Sequence, residues 1–381
     1  MTLPIHKGGP YAAFGKDDMT KQISVGGMKI GGCAPVTIQS MTTTRTSDVS
    51  ATAGQINRLA ELGCEIIRVA VPDMACADAI GEIKKLISIP LVADIHFDHR
   101  LALRAAEAGA DKIRINPGNI GGVDNVRAVA HICAKKGIPI RIGVNSGSLS
   151  KAILAKYGGD ATAGAMYDSA LEHIALLNRY DFDDICLSAK SSSVRVTVGT
   201  YRLLHERTDY PLHLGVTEAG TERTGIIKSS IGIGALLLDG IGDTIRVSLT
   251  APPESEVTAA QSILKSLGLR AGFDLISCPT CGRCGIDLIT IAQEVELRLS
   301  KTGKTGHGSL SHRDREPSPV LPVTVAVMGC AVNGPGEASR ADYGIAGGDG
   351  VGVIFKKGKI IKKVTMDKLV DELFDVIVTD R

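Results

Sequence analysis

At 381 residues, with 44% hydrophobic and 22% charged content, the chain can bury a sizeable core and is long for one layered domain, so a large domain with a smaller companion is expected. A formal net charge of +2 without long single-sign runs, no Trp and 3% aromatic residues exclude the electrostatic footprint and stacking platforms of a nucleic-acid binder. The N-terminal MTLPIHKGGPYAAFGKDDMTK has no apolar h-region and no apolar run approaches membrane-spanning length, so no membrane association and a cytoplasmic location are expected. Nine cysteines, an odd number, argue against a disulfide framework and leave metal binding, catalysis or burial. The isolated Cys33, Cys64, Cys76, Cys133 and Cys186 read as small buried hydrophobes.

Residues 1–33 read as an N-terminal segment leading into a large domain spanning 34–270. From there, short β-branched runs that finish in polar residues alternate with helical stretches: VTIQSMTTT, EIIRVAVPD, PLVADIHFD, KIRINPGN, IRIGVNSGS, ICLSAKSSS, LHLGVTEAG and TIRVSLT. In the first linking helix, Ser47 or Asp48 caps, Val49, Ala53, Ile56 and Ala60 repeat at helical spacing, and Gly63 closes. Eight strand-helix units in this order require parallel pairing with right-handed crossovers, which is the content of a (β/α)8 TIM barrel within an α/β class protein. A doubly wound open sheet is the alternative, and the absence of a glycine fingerprint after the first strand counts against it.

Polar residues recur at the strand ends, where a barrel gathers its reactive groups. They are Arg68, Asp94, His96, Arg114, Asn116, Arg141, Asn145, Lys190, His213, Glu218 and Arg246. A single arginine in a strand is explained as well by a structural ion pair. Four arginines and a lysine at equivalent ends repel one another unless a polyanion neutralises them, and guanidinium matches phosphate oxygens in bidentate fashion. The expected ligand is a small phosphorylated or diphosphorylated molecule, with Glu218 and Asp94 as acid-base candidates.

After residue 270 the pattern changes, and 271–381 reads as a smaller α/β domain. GFDLISC is a strand, IDLITIAQEVELRLS a helix, and KTGKTGHGSLSHRDREPSP, near 301–319, a polar surface insertion. Its GKT lacks the leading glycine and the preceding strand of a nucleotide loop. VTVAVMGC is a further strand, GVGVIFKKGKIIKKV a hairpin and MDKLVDELFDVIV a terminal helix. CPTCGRC places Cys278, Cys281 and Cys284 at two-residue gaps, with Cys330 in a second motif ending at Glu337. Zinc wants a second knuckle, which is missing, whereas closely spaced cysteines in a Gly/Pro loop suit an iron-sulfur cluster. A barrel with a structural zinc tail and a pure electron carrier are the rival readings; the first leaves the protein colourless and the second has no use for the cations.

CPTCGR and MGCAVNGPGE, preceded by QSMTTTRTSDVSAT, ADIHF, IRINPGN, RIGVNSGSL, TEAGTERTGIIKSSIGIG and GDTIRVSLT, resemble the 4-hydroxy-3-methylbut-2-enyl diphosphate synthase family of the methylerythritol phosphate pathway, in its bacterial two-domain form. The likeness runs from about residue 20 to the C-terminus. It implies a TIM barrel followed by a smaller α/β iron-sulfur domain, and reductive ring opening and dehydration of 2-C-methyl-D-erythritol 2,4-cyclodiphosphate. It further implies a [4Fe-4S] cluster on Cys278, Cys281 and Cys330 with Glu337 as an exchangeable oxygen ligand. Substrate contacts fall on Arg68, Arg114, Arg141, Asn145, Lys190 and Arg246, with Asp94, Glu218 and Glu337 in acidic or catalytic roles. The family also implies a flavodoxin or ferredoxin electron donor and a homodimer in which one subunit's cluster domain caps the other's barrel. The sequence departs from the family at Cys284, either a bystander or a fourth thiolate in place of Glu337, and in the 301–319 insertion.

Overall fold

The structure, a computed structural model, describes residues 20–305, 323–330, 336, 338–348 and 350–380. The chain forms two compact units, Met1–Leu267 and Gly268–Arg381. The first opens with an antiparallel hairpin, β1 (Ile23–Val25) and β2 (Met28–Ile30). Eight strands follow: β3 (Thr37–Met41), β4 (Ile66–Ala70), β5 (Leu91–Asp94), β6 (Lys112–Ile115), β7 (Ile140–Asn145), β8 (Ile185–Lys190), β9 (His213–Leu214) and β10 (Thr244–Ile245). Between and after them run α1 (Val49–Glu61), α2 (Met74–Leu86), α3 (His99–Glu107), α4 (Val123–Lys136), α5 (Lys151–Lys156), α6 (Ala163–Asn178), α7 (Val194–Arg207), α8 (Glu222–Leu238) and α9 (Pro253–Ser266).

The strand order β8-β7-β6-β5-β4-β3-β10-β9 is parallel throughout, and a bridge between Leu187 and Leu212 joins its ends. The ring therefore closes into the expected barrel, and the open-sheet alternative falls. Local chemistry sets the helix starts: Asp48, Asp73 and Asp98 each accept from a backbone N–H in the first turn of α1, α2 and α3. Alternation along each strand sends Ile38, Ile67, Ile113, Ile142 and Leu187 to the helix side, all fully buried or nearly so. At about 1.5–3 kcal/mol per buried aliphatic side chain, this shell holds the ring closed. The inward positions are, by contrast, largely polar.

The N-terminal segment does more than lead into the barrel. ISVGGMKI turns on Gly26 and Gly27, both at positive φ, and its Ile23, Val25 and Ile30 pack on Ile66, Val92 and Cys186 at the N-terminal ends of the barrel strands. The hairpin is a plug over the barrel base. Of the five isolated cysteines, Cys64, Cys76, Cys133 and Cys186 are buried, but Cys33 is exposed. It follows Gly31 and Gly32 in a turn where all three take positive φ, which carries its side chain away from the core.

The second unit is a five-stranded sheet, β11 (Phe273–Ser277), β12 (Val323–Met328), β13 (Tyr343–Gly348), β14 (Val351–Lys356) and β15 (Lys359–Thr365), in that order. The first three run parallel; β14 and β15 are antiparallel and turn at Lys357 and Gly358, both at positive φ. One face packs α10 (Leu288–Thr305) and α11 (Leu369–Thr379) through Leu288, Val295, Leu299, Val325, Val327, Ile345, Leu373 and Ile377. Helix α10 continues to Thr305, five residues into the stretch expected as insertion. A single Gly303 costs a helix only about 1 kcal/mol, less than the buried stripe upstream supplies. The rest of that stretch, 306–319, lies outside the described residues, as does Glu337. Among the described residues no helix is long and apolar enough to cross a membrane.

Candidate active site

The inward positions of β3 to β10 are read from the ladder. Met41 pairs with Arg68, Ala70 with Asp94, Asp94 with Arg114, Arg114 with Arg141, and Asn145 with Lys190. A pairing step keeps side chains on the same face of the sheet, so these residues all turn into the barrel. Asp94, 3% exposed, is the hub. Arg114 Nη1 donates to its Oδ1 at 2.9 Å, Arg68 Nε stands 3.7 Å from Oδ2, and His96 Nε2 stands 3.4 Å from Oδ2. Burial alone pushes the Asp94 carboxyl up, but the Arg68 charge, the His96 contact and the Arg114 charge together hold it far below the usual carboxylate range. These contacts favour its charged form.

Backbone glycines make room for the cations. A Cβ on Gly143 of β7 stands 2.3 Å from Arg114 Nε, and one on Gly215, just beyond β9, stands 2.7 Å from Lys190 Nζ. Arg246, just past β10, grips Glu256 of α9 with Nη2 to Oε1 at 3.2 Å, and Ser40 donates to the same carboxylate at 3.1 Å. Arg68 additionally points Nη2 at Met41 Sδ, 2.9 Å away. Burial lowers Arg68 and Lys190 well below their ordinary values. Asp94 offsets this for Arg68, whereas the surrounding arginines depress Lys190 further. Four cations, Arg68, Arg114, Lys190 and Arg246, face two buried carboxylates, Asp94 and Glu256, a surplus that an anion in the mouth relieves.

Arg141 differs from the expectation of a strand-end residue. It is the second residue of β7, 1% exposed, and donates Nη1 across the barrel to Gln39 Oε1 of β3 at 3.1 Å. Burial, with the nearby Arg114, pushes it down to about 10. His213 is likewise internal, 0% exposed, with Nδ1 3.3 Å from Thr244 Oγ1. Asn145 and Asn116 meet through Ser148, whose hydroxyl donates to the Asn145 carbonyl at 3.0 Å and accepts from Asn116 Nδ2 at 3.2 Å. Glu218 is exposed in the loop after β9 with φ of +50°, a strained value for a non-glycine residue, and its neighbour Thr217 donates to the Ser191 carbonyl beside Lys190. The structure thus gathers Arg68, Asp94, His96, Arg114, Lys190 and Arg246, sets Glu218 beside them, and sinks Arg141 and His213. Glu256, Gln39 and the two glycines escape a reading of strand ends. Glu256 sits in a helix, and nothing in PPESEV marks its inward turn; Gly143 and Gly215 are legible only as glycines inside strand patterns.

In the second unit, Ser277 pairs with Val327, so Cys278 and Cys330 follow adjacent strand ends. Gly329 N–H donates to Cys278 Sγ at 3.0 Å. Cys281 is exposed, and the Arg283 backbone N–H draws its thiol below the ordinary value, against a smaller effect of burial. Cys284 instead donates its S–H to the Ile286 carbonyl at 3.3 Å and packs beside Leu288 and Gly329. Among the described residues no three His, Cys, Asp or Glu side chains are arranged around a single ion. The thiols are spread over a loop and two strand ends.

Comparison with known proteins agrees with this division. A family model described as the GcpE TIM-barrel domain matches residues 20–261, and one described as the GcpE protein C-terminal domain matches 274–379. A Caldicellulosiruptor saccharolyticus protein is 57% identical over 93% of this chain and 97% of its own length, a Clostridium perfringens protein 55% over 94% and 98%, and a Bacillus subtilis protein 55% over 93% and 89%. Each of the three is named 4-hydroxy-3-methylbut-2-en-1-yl diphosphate synthase (flavodoxin). With both domains matched, and identity above half across nearly the full length, the chain belongs to the 4-hydroxy-3-methylbut-2-en-1-yl diphosphate synthase family.

Proposed function

We propose that the chain converts 2-C-methyl-D-erythritol 2,4-cyclodiphosphate to 4-hydroxy-3-methylbut-2-enyl diphosphate, taking two electrons from flavodoxin, or from a ferredoxin, and working as a cytoplasmic homodimer. The observation that carries this reading is the cation surplus in the barrel mouth. Arg68, Arg114, Lys190 and Arg246 are buried or nearly so and outnumber their carboxylates, Asp94 and Glu256. A diphosphate supplies the missing negative charge, and guanidinium forks match its oxygens. Asn145, held through Ser148, adds an amide contact, and Arg141 lends its charge from below.

The residues at the cysteine loop fit a [4Fe-4S] cluster held by Cys278, Cys281 and Cys330, with Glu337 as the fourth ligand. Amide N–H groups aimed at the Cys278 and Cys281 sulfurs are the donors that thiolate ligation calls for. When bound, such a cluster supplies the electrons that no side chain can and a Lewis-acidic iron. The chain's own residues do the rest. The arginines and Lys190 bind the diphosphate and neutralise charge as the ring oxygen departs. Asp94, favoured in its charged form, holds Arg68 and Arg114 in place. Glu218, exposed at the mouth and carrying backbone strain, is the carboxyl that delivers a proton to the leaving hydroxyl, which departs as water.

The test is anaerobic purification followed by metal and sulfide analysis, which should find about four of each per chain. Stoichiometric zinc without broad visible absorption would overturn the cluster assignment. Cys284→Ser should retain cluster and turnover, because that thiol is engaged with the Ile286 carbonyl. Glu337→Ala should assemble a cluster and lose most turnover. The reverse pattern moves the fourth ligand to Cys284.

A further inference from the structure

One edge of the second unit concentrates positive charge. Residues 356–368 hold six lysines against one aspartate, a net charge of +5 in a chain whose total is +2, which leaves the rest of the chain at −3. They run along β15, which pairs only with β14 and is the free edge of its sheet. Lys356 pairs with Asp380 at 2.6 Å and Lys362 with Glu372 of α11. Lys357, Lys359 and Lys363 are exposed and make no ion pair among the described residues. The Lys357 N–H donates to the Ala341 carbonyl and Gly358 sits against Ser339, so exposed Arg340 joins the turn.

Lysines on an edge strand ordinarily keep other strands away, a protection that goes with short strands free of exposed aliphatic groups. β15 differs. At seven residues it is the longest strand among the described residues, and between Lys359 and Lys362 it holds Ile360 and Ile361 half exposed, at 51% and 49%. An apolar centre within a charged rim is the anatomy of a protein-binding surface. Residue type narrows the partner. Lysines outnumber the one arginine, and no aromatic residue occurs in 356–368, so neither bidentate phosphate recognition nor base stacking is built here. Point charges beside aliphatic groups suit the carboxylate-rich surface of another protein.

Place narrows it further, because the strand ends at the cysteine loop. Met366 directly follows β15, and a Cβ on Gly347 would stand 2.6 Å from Ile286 Cγ2 and 3.0 Å from Met366 Sδ. Met366, Ile286, Cys278 and Cys284 all pack on one core. Resting on the reading of the chain as an enzyme supplied with electrons by a small protein, we propose that the β15 edge is the docking surface of an acidic electron donor of the flavodoxin kind. Lys357, Lys359 and Lys363 attract it, and Ile360 and Ile361 seat it. The reaction consumes two electrons and two protons per substrate and releases one water. The donor is oxidised by those two electrons, given together or by two carriers in turn, and must then leave. Exposed lysines serve such an exchange, since they speed encounter more than they tighten binding.

The experiment uses the cluster-loaded protein and a recombinant flavodoxin of net negative charge. Affinity read by titration calorimetry should fall as salt is added, and should be about tenfold weaker when Lys357→Glu, Lys359→Glu and Lys363→Glu are combined. Flavodoxin-driven kcat/KM should fall in parallel, whereas turnover driven by dithionite, which needs no docking surface, should be unchanged. Undiminished flavodoxin affinity in the triple variant overturns the proposal. So does a triple variant that turns from dimer to monomer, or one that loses only binding to RNA or to anionic vesicles. Absence of dithionite-driven turnover in the unaltered protein would refute the enzymatic reading, and the calorimetry would still decide the docking. Should the triple variant fail to fold, carbodiimide cross-linking of the unaltered protein decides. Links from Lys357, Lys359 or Lys363 to flavodoxin carboxylates support the surface, and links confined to other lysines overturn it.

Discussion

Asp94 shows how one carboxylate organises a site. Its folded form is held below the ordinary value of 3.8, so the stability it contributes is complete above that value and is lost as pH falls toward the native one. Asp94→Asn should therefore flatten the acid limb of stability, read as urea midpoint against pH, and cost about 3–5 kcal/mol at neutral pH by leaving Arg68 and Arg114 without their anion. An unchanged acid limb would show that Asp94 is not the counter-ion. Lys190 carries the opposite sign. Burial and the neighbouring arginines lower it, which shifts it toward its neutral form, and a bound diphosphate shifts it back toward the charged one. Diphosphate binding should take up protons and weaken as pH rises. Titration calorimetry in buffers of different ionisation heat measures this directly, and buffer-independent heats would refute it.

At the scale of elements, β7 and β9 contribute by what they lack. Gly215→Ala brings a methyl within 2.7 Å of Lys190 Nζ and 2.6 Å of the Arg246 carbonyl oxygen. The carbonyl is backbone and cannot step aside, so both β9 and the Lys190 position must shift. Substrate affinity should fall by more than tenfold while iron content stays constant, since the cysteine loop belongs to another unit. Gly143→Ala pushes instead on the end of the Arg114 side chain, and should weaken substrate binding through the Asp94 pair. Normal affinity in both variants would remove the glycines from the design of the mouth. The N-terminal hairpin acts by presence. Ile30, fully buried against the barrel base, should cost about 2–5 kcal/mol when changed to Ala.

For the whole molecule, the division at Leu267 and Gly268 means that loss of the proposed cluster should fall on the second unit first. Metal binding free energy is folding free energy where the ligands come from loops that the metal ties together. Stripping iron with a chelator under anaerobic conditions should raise amide exchange in the loop at 278–286 and at the end of β12. Exchange in β3 to β8 should be unaffected. Equal deprotection of both units would mean that the cluster does not belong to the second unit alone.

Much of the barrel was legible because its physical signals are local. A β-branched run, a polar end and a capped amphipathic helix each occupy a few residues, and their repetition forces parallel closure. The strand-end positions of Asp94, Arg114, Lys190 and Arg246 follow from the same reading, as do the cysteine loop and the turn at Lys357 and Gly358. What the sequence alone did not decide is which groups meet across the ring. Glu256 reaches Arg246 from a helix, and Arg141 spans from β7 to Gln39 on β3, 102 residues away. Cys33 escapes burial because three consecutive positive φ values turn it outward. Such pairings depend on strand register and barrel stagger, which are properties of the closed ring and not of any segment, so only the tertiary structure sets the depth and charge balance of the barrel interior.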